Sequence, residues 1–318
     1  MITLERILCP APVPPESHEA MCLAASLSRA YKARLFICHC VTTAILPNLL
    51  NRGAPNGGVR KELTEWLEQH IGLSDPSQPR GKVIVVENAK DCGEEIVRTA
   101  REQRIDLIVM SRRSRAALLG STAEQVSRTA SCPVLIVHQQ ESDEEIKSNK
   151  SEGFKRVLVS HDFSSSSELA LSYAISIAQK FKSELHLMHV LPEPEEDETE
   201  IALTPVGVET AYQRAARRLL DSVPEEVYQN CTVTHTVRWG KPYREVLAYV
   251  REQDIDLACM GALGSDFGLE ALFGSNVDRV VRQAPCSVLI ARPLKPAVTT
   301  HIDVGMTRPN VENFSQGG

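Results

Sequence analysis

Gly261, Gly264, Gly274 and Ser275 in the second half of the chain are spaced as G-x2-G-x9-G-S, and residues of these types suit the cradling of a phosphate. Without a Cβ, glycine lets backbone N–H groups approach an anion and opens positive φ angles. Gly261 closes the apolar run DLACMG, so it stands at the end of a strand. Gly274 leads into SNVDRVVRQA, whose apolar spacing is helical. The first N–H groups of a helix lack intrahelical partners and its dipole favours an anion there. Ser275 can cap that helix or turn its hydroxyl to a phosphate oxygen. The plainer reading is a strand-to-helix loop with three convenient glycines.

Asp162, in VSHDFS, ends another short apolar strand at the same rim of the sheet. Its carboxylate can accept hydrogen bonds from an adenine amino group or a ribose hydroxyl, or it can cap the helix that follows. Local sequence leaves both readings open. His161 stands beside it, but strand alternation points the two side chains apart, which argues against a general-base pair.

The same positions read differently earlier in the chain. REQRIDLIVMS from Arg101 matches REQDIDLACMG from Arg251, an offset of 150; Gly120-Ser121 matches Gly274-Ser275, an offset of 154. The chain is therefore a tandem repeat whose first copy lacks four residues of the glycine loop. There Pro12 stands for Asp162, Ser111 and Ser114 stand for Gly261 and Gly264, and the loop shortens to RRSRAALL. Both ends of the anion site fail together in the first copy. Its loop is basic at Arg112, Arg113 and Arg115, which reads as a solvated turn before an anion site. The second copy's loop carries Asp266 and Glu270 and no Lys or Arg. A triphosphate would meet repulsion there. Either Mg²⁺ bridges, through Asp266, or a less charged nucleotide such as ADP or AMP is preferred. Arg279 and Arg282 follow in the helix and are expected to face solvent.

The elements around these residues alternate. The second copy runs RVLVS, a serine-capped helix, ELHLMHVL, the solvated EPEEDETE segment, a helix near Val208, CTVTHTVRW, a helix opened by Pro242, DLACMG, a helix after Gly274, and SVLIAR. The first copy follows the same course. Strands alternating with helices imply parallel strands joined by right-handed crossovers, with ligands at their carboxyl ends. The expected domains are 1–138, with a degenerate site, and 154–293, with the intact motif. They are joined by a polar linker at 139–153 and followed by a loosely held tail at 294–318.

Composition narrows the function. With 35 Lys and Arg against 41 Asp and Glu, the formal charge of -6 argues against a nucleic-acid partner. No apolar run reaches the roughly 18 residues of a membrane helix, and the amino terminus does not read as a signal peptide. Nine cysteines, odd in number and irregular in spacing, fit reduced thiols in a cytoplasmic protein. Cys38-His39-Cys40 has the residue types of a zinc site, but in a strand the histidine points away from both thiols, so core packing is expected. Packing is likewise expected of Cys259 and Cys286.

The chain resembles the universal stress protein family in its tandem two-domain form, over about residues 7–137 and 157–292. The resemblance rests on VLVSHDFS, LHLMHV, MGALG with its distant GS, and APCSVLIARP. It implies an α/β fold, adenine nucleotide alpha-hydrolase-like, of two doubly wound five-stranded parallel sheets ordered 3-2-1-4-5. It also implies an ATP site where the glycine motif is complete. Carried over by position, Ser160, Asp162 and Val190 would line the adenosine pocket, and Gly261 and Gly264 would border the phosphates above Met260. Gly274, Ser275 and Asn276 would hold the phosphate tail. The family's use of the last strand in dimers implies an internal pseudo-dimer here, with a homodimer as a further option. Ser160 departs from a frequent proline.

The leading expectation is a cytosolic stress-response module that binds an adenine nucleotide in its second copy. An interaction scaffold without a nucleotide is the alternative, and an adenylating or slowly ATP-hydrolysing enzyme is a weaker one. There is no G-x4-G-K-[ST] or G-x-G-x-x-G, and the turn SHDFSSS lacks the glycines of an adenylating loop.

Overall fold

The computed structural model describes residues 2–11, 18–42, 57–71, 79, 81–112, 119–138, 153–193, 205–263 and 273–293. In the first copy these form β1 (Arg6–Pro10), α1 (His18–Tyr31), β2 (Arg34–Thr42), α2 (Gly57–Ile71), β3 (Lys82–Ala89), α3 (Cys92–Glu102), β4 (Leu107–Ser111), α4 (Ser121–Thr129) and β5 (Val134–Val137). In the second they form β6 (Arg156–Ser160), α5 (Ser165–Phe181), β7 (Glu184–Leu191), α6 (Pro205–Asp221), the short α7 (Glu225–Tyr228), β8 (Val233–Trp239), α8 (Pro242–Glu252), β9 (Leu257–Gly261), α9 (Ser275–Gln283) and β10 (Ser287–Ala291).

The strands join in one ten-stranded sheet, ordered β3-β2-β1-β4-β5-β10-β9-β6-β7-β8. Each copy therefore has the expected order 3-2-1-4-5, with its own strands parallel. The copies meet through their last strands, antiparallel, with Leu289 opposite Leu135. Because successive strand residues face opposite ways, the sheet builds two cores. Ile7, Val109, Leu135, Val159 and Leu289 lie on one face under α1, α2, α5 and α6. Leu8, Ile108, Ile136, Leu158 and Val288 lie on the other under α3, α4, α8 and α9. Both cores run through both copies, so neither half buries its last strand alone.

The repeat extends to single carboxylates. Asp106 Oδ2 accepts from the backbone N–H groups of Glu5 and Arg6 at 2.8 and 2.9 Å, and Asp256 does the same for Lys155 and Arg156 at 2.9 and 2.8 Å. Each ties the start of a copy's first strand to the start of its fourth.

Where the copies meet, α4 faces α9. Arg128 pairs with Asp278 at 2.9 Å and Arg282 with Glu124 at 2.7 Å, while the i,i+4 pairs Glu124–Arg128 (3.3 Å) and Asp278–Arg282 (2.9 Å) close the set. At the offset of 154 these are the same two positions used twice, a charge quartet about a pseudo-twofold axis. Arg282 is thus engaged at the interface and does not simply face solvent.

The expectation for Arg112 needs correction too. It is buried (6% exposed), and its guanidinium donates to the carbonyls of Ala284 at 2.9 Å and Arg282 at 2.6 Å. These carbonyls end α9 and lack helical partners, and a cation suits that negative pole. Arg292 returns the arrangement, donating to Ser127, Arg128 and Ala130 at the end of α4. Each copy caps a helix of the other. Arg113 and Arg115 fall outside the described residues, as do Pro12, Ser114, Asp266, Glu270, all of the linker but Gly153, and the whole tail.

Candidate functional site at the split between two central strands

β6 and β9 are neighbours, paired from Val157↔Leu257 to Val159↔Cys259. Beyond that point β6 leads into α5 on one face of the sheet and β9 leads toward α9 on the other. Chains that depart to opposite faces leave a crevice at the carboxyl ends of their strands, where open parallel sheets bind ligands.

On the β6 side, Ser160 ends the strand half-buried, paired with Met188 of β7. Asp162 lies two residues on. Its Oδ1 accepts the backbone N–H of Ser164 at 3.1 Å and the Ser164 hydroxyl at 2.5 Å. Ser164 is the N-cap of α5, its Oγ accepting from the N–H of Ser167 at 3.2 Å. Asp162 therefore holds the capping serine and does not itself cap.

The turn between them is held tightly. Phe163 takes a left-handed φ of 62°, a conformation disfavoured for a residue with a Cβ. Its ring is covered by the Arg218 guanidinium at 3.9 Å and by the His189 ring at 4.5 Å. Nδ1 of His189 donates to the His161 carbonyl at 2.7 Å. Nδ1 of the buried His161 accepts from Phe163 at 3.2 Å, which puts its proton on Nε2, 3.5 Å from Glu168. Burial holds both histidines below the ordinary imidazole range, with Glu168 opposing it at His161.

The first copy keeps this strut. His39 Nδ1 donates to the Ala11 carbonyl at 2.7 Å, so the histidine of the CHC triplet positions the end of β1. Cys38 and Cys40 share the other face, their sulfurs 4.0 Å apart. Among the described residues no three His, Cys, Asp or Glu side chains form a metal-sized group.

On the β9 side, Met260 is buried and pairs with Ile290, and Gly261 pairs with Ala291. Val190, on β7 at the far side of β6, is half-buried and packs against the same core as Met260. A Cβ on Gly261 would stand 2.6 Å from the backbone carbon of Ser166, so α5 occupies the space the glycine leaves. Ser166, which sequence reading passed over, also accepts the N–H of Leu263 through its hydroxyl at 3.3 Å. The glycine loop closes on itself where the Gly274 N–H meets the Ala262 carbonyl at 2.9 Å. Gly264 lies outside the described residues.

α9 starts at this closure. Gly274 is its N-cap with no side-chain cap, Ser275 is its exposed first residue, and Asn276 is half-buried. The serine thus stands one residue inside the helix and leaves the cap position to a glycine. The loop stem at Gly261 and Leu263 lies against Ser166 in the first turn of α5, the helix whose capping serine Asp162 holds. An anion fits the α9 end, where backbone donors are uncapped and the first-turn carboxylate, Asp278, is paired with Arg128 and Arg282.

Cys259 and Cys286 are buried, as expected. Burial pushes the Cys286 thiol up to about 12 and raises Cys259 further. Neither is a reactive thiolate.

The model of the universal stress protein family matches residues 3–138 and again 153–292. A curated relative, universal stress protein Rv2623 of Mycobacterium tuberculosis, is 30% identical over 175 residues, 55% of this chain and 56% of the relative's length. The match thus spans about half of that protein. Universal stress protein YxiE of Bacillus subtilis is 27% identical over 158 residues, covering 44% of this chain and 99% of its own. Among solved structures, a putative universal stress protein of Pseudomonas aeruginosa aligns over 92% of this chain and 94% of its own with a TM-score of 0.68 at 15% identity. One from Archaeoglobus fulgidus aligns over 91% and 97% with a TM-score of 0.61 at 20% identity. These likenesses confirm the fold, adenine nucleotide alpha-hydrolase-like. Matched twice along its length by the family model, the chain belongs to the universal stress protein family.

Proposed function

We propose that the second copy binds an adenine nucleotide in the β6–β9 crevice and that occupancy regulates what the cytosolic protein contacts during stress. One observation carries the reading. An uncapped helix start, Gly274 and Ser275, adjoins a crevice formed by strands whose chains leave to opposite faces. The phosphates would take the α9 end that Gly274 opens, through the N–H groups of Ser275 and Asn276 and the Ser275 hydroxyl. The adenosine would lie toward Ser160, Asp162 and Val190. The half-buried Val190 offers an apolar wall for a base, and Asp162 an acceptor for its amino group or for the ribose. Met260 and Gly261 would form the floor, with Gly264 in the loop above. If Mg²⁺ accompanies the nucleotide, Asp266 is the residue of the loop sequence that would hold it.

Calorimetric titration with ATP, ADP and AMP, with and without Mg²⁺, tests this directly. Binding to the wild type and not to a Gly274→Val, Asp162→Ala double variant is the expected result. Absence of heat with all three nucleotides would leave an interaction scaffold, and turnover within seconds would make it an enzyme.

A further inference from the structure

The two copies begin their last helix alike, since Gly120 and Gly274 are both N-caps without a side-chain cap. The helix start therefore does not distinguish them. The charge beside it does. In the second copy Lys241, Tyr243 and Arg244 open α8, and the Arg279 guanidinium lies over the Tyr243 ring, 4.5 Å from its centre. Arg244 Nε donates to the Tyr243 hydroxyl at 3.0 Å. Arg279 follows Ser275 by one helical turn, on the same face of α9, and helical side chains lean toward the amino terminus.

Lys241, Arg244 and Arg279 are exposed, and none pairs with a carboxylate among the described residues. Nearby acids are taken: Glu245 and Glu252 face Arg238, and Asp278 faces Arg128 and Arg282. Lys241, Arg244 and Arg279 together hold the Tyr243 phenol below its usual range, the Arg244 hydrogen bond leading. At the corresponding places the first copy has Asp91, Gly93, Glu94 and Gln125. Gln125 fills the space where a Cβ on Gly93 would stand, and Asp91 caps α3. The same two helices meet in both copies, with three cations in one and two carboxylates and an amide in the other.

We propose that Lys241, Arg244 and Arg279, the last lying over the Tyr243 ring, form a subsite for the outer phosphates of a nucleotide whose inner phosphate rests on the α9 start. This rests on the adenine-nucleotide reading above and adds its preference: the site takes a di- or triphosphate over a monophosphate. The cations supply from α8 and α9 positive charge that the glycine-loop sequence, without Lys or Arg, does not. Arginine suits this because its fork matches phosphate oxygens in pairs while its plane stacks on a ring.

The test is calorimetry on the full chain with adenosine, AMP, ATP and inorganic tripolyphosphate, at one ionic strength and without metal. The proteins are the wild type, Arg279→Gln, Lys241→Gln and, as a control for lost surface charge, Arg217→Gln on the opposite face of the sheet. Removing one cation should weaken ATP and tripolyphosphate about tenfold while adenosine and AMP stay within about twofold, and the control should match the wild type. Equal ATP affinity in all four proteins overturns the subsite and leaves the nucleotide reading standing. Parallel losses for adenosine and ATP also overturn it, as a structural effect. Cation-dependent binding of tripolyphosphate with no adenosine-dependent binding keeps the subsite and overturns the adenine reading; no binding of any probe overturns both.

Discussion

The guanidinium of Arg128, in the first copy, lies 5.3 Å from the ring centre of Phe273, the residue that leads into Gly274 in the second. Arg292 covers the same ring at 5.9 Å. The exit of the glycine loop is therefore gripped partly by the copy that lacks the motif, and Arg128 also holds Asp278 in the first turn of α9.

That grip predicts an effect across the interface. Arg128→Ala should weaken nucleotide binding several-fold although the residue is not in the binding copy. The Arg128 side chain is 41% exposed, so its contribution to global stability is screened, about 1 kcal/mol or less. Calorimetry beside a thermal melt separates the two effects. Unchanged affinity would show that the first copy does not hold the loop. A double-mutant cycle with Asp278→Ala measures the coupling itself.

Arg112 should behave differently because it is buried. Arg112→Ala leaves the Arg282 and Ala284 carbonyls at the end of α9 without their donor, inside the interface. The expected cost is about 2–4 kcal/mol, read as a lower midpoint in urea. Arg115→Ala, in the same run of the sequence, serves as the comparison, and equal midpoints for the two variants would contradict the capping role.

Much of this architecture is legible in the chain before any coordinates. Alternation of apolar runs with helical spacing gives the elements of both copies, and a serine before LALSYAISI marks the start of α5. Two kinds of feature escape. Arg112 reads as part of a solvated RRSR turn because charge clusters usually are; what buries it is a helix end about 170 residues away, which no local pattern carries. Gly261 reads as room for a phosphate, yet the first turn of α5 fills that room. Signal for the Tyr243–Arg279 pair did exist, since Gly93 and Gln125 stand in the first copy, but its meaning depends on α8 and α9 packing together. Gly264 and Pro12, which weigh in the asymmetry of the copies, lie outside the described residues.

Gly261→Ala tests the packing role of the glycine. A methyl group 2.6 Å from the Ser166 backbone forces α5 or β9 to shift, at roughly 1–3 kcal/mol. Equilibrium unfolding in urea should show the loss without any nucleotide present. If stability is unchanged while binding falls, the glycine serves the ligand and not the helix.

The buried histidines set a direction with pH. His161, His186 and His189 are each held below the ordinary imidazole value of about 6.5, with burial as the first cause. A histidine whose folded pKa is depressed is neutral in the folded state and gains a proton more readily on unfolding. The stability it permits is full above the unfolded value near 6.5 and is lost as the pH falls from there through the folded pKa. Each such group adds at most about 1.4 kcal/mol per pH unit to the slope. His186 offers a clean test: its Nδ1 meets the Tyr249 hydroxyl at 2.9 Å, Thr236 also reaches that hydroxyl at 3.3 Å, and the first copy has Phe36 at the matching position. Urea unfolding at about pH 7.5, 6.5 and 5.5 should show the wild type weakening toward acid and His186→Phe weakening less. An identical slope in the two proteins would mean that His186 does not titrate differently on unfolding, and the acid sensitivity would then belong to the pair beside Phe163 and to His235, which burial also lowers.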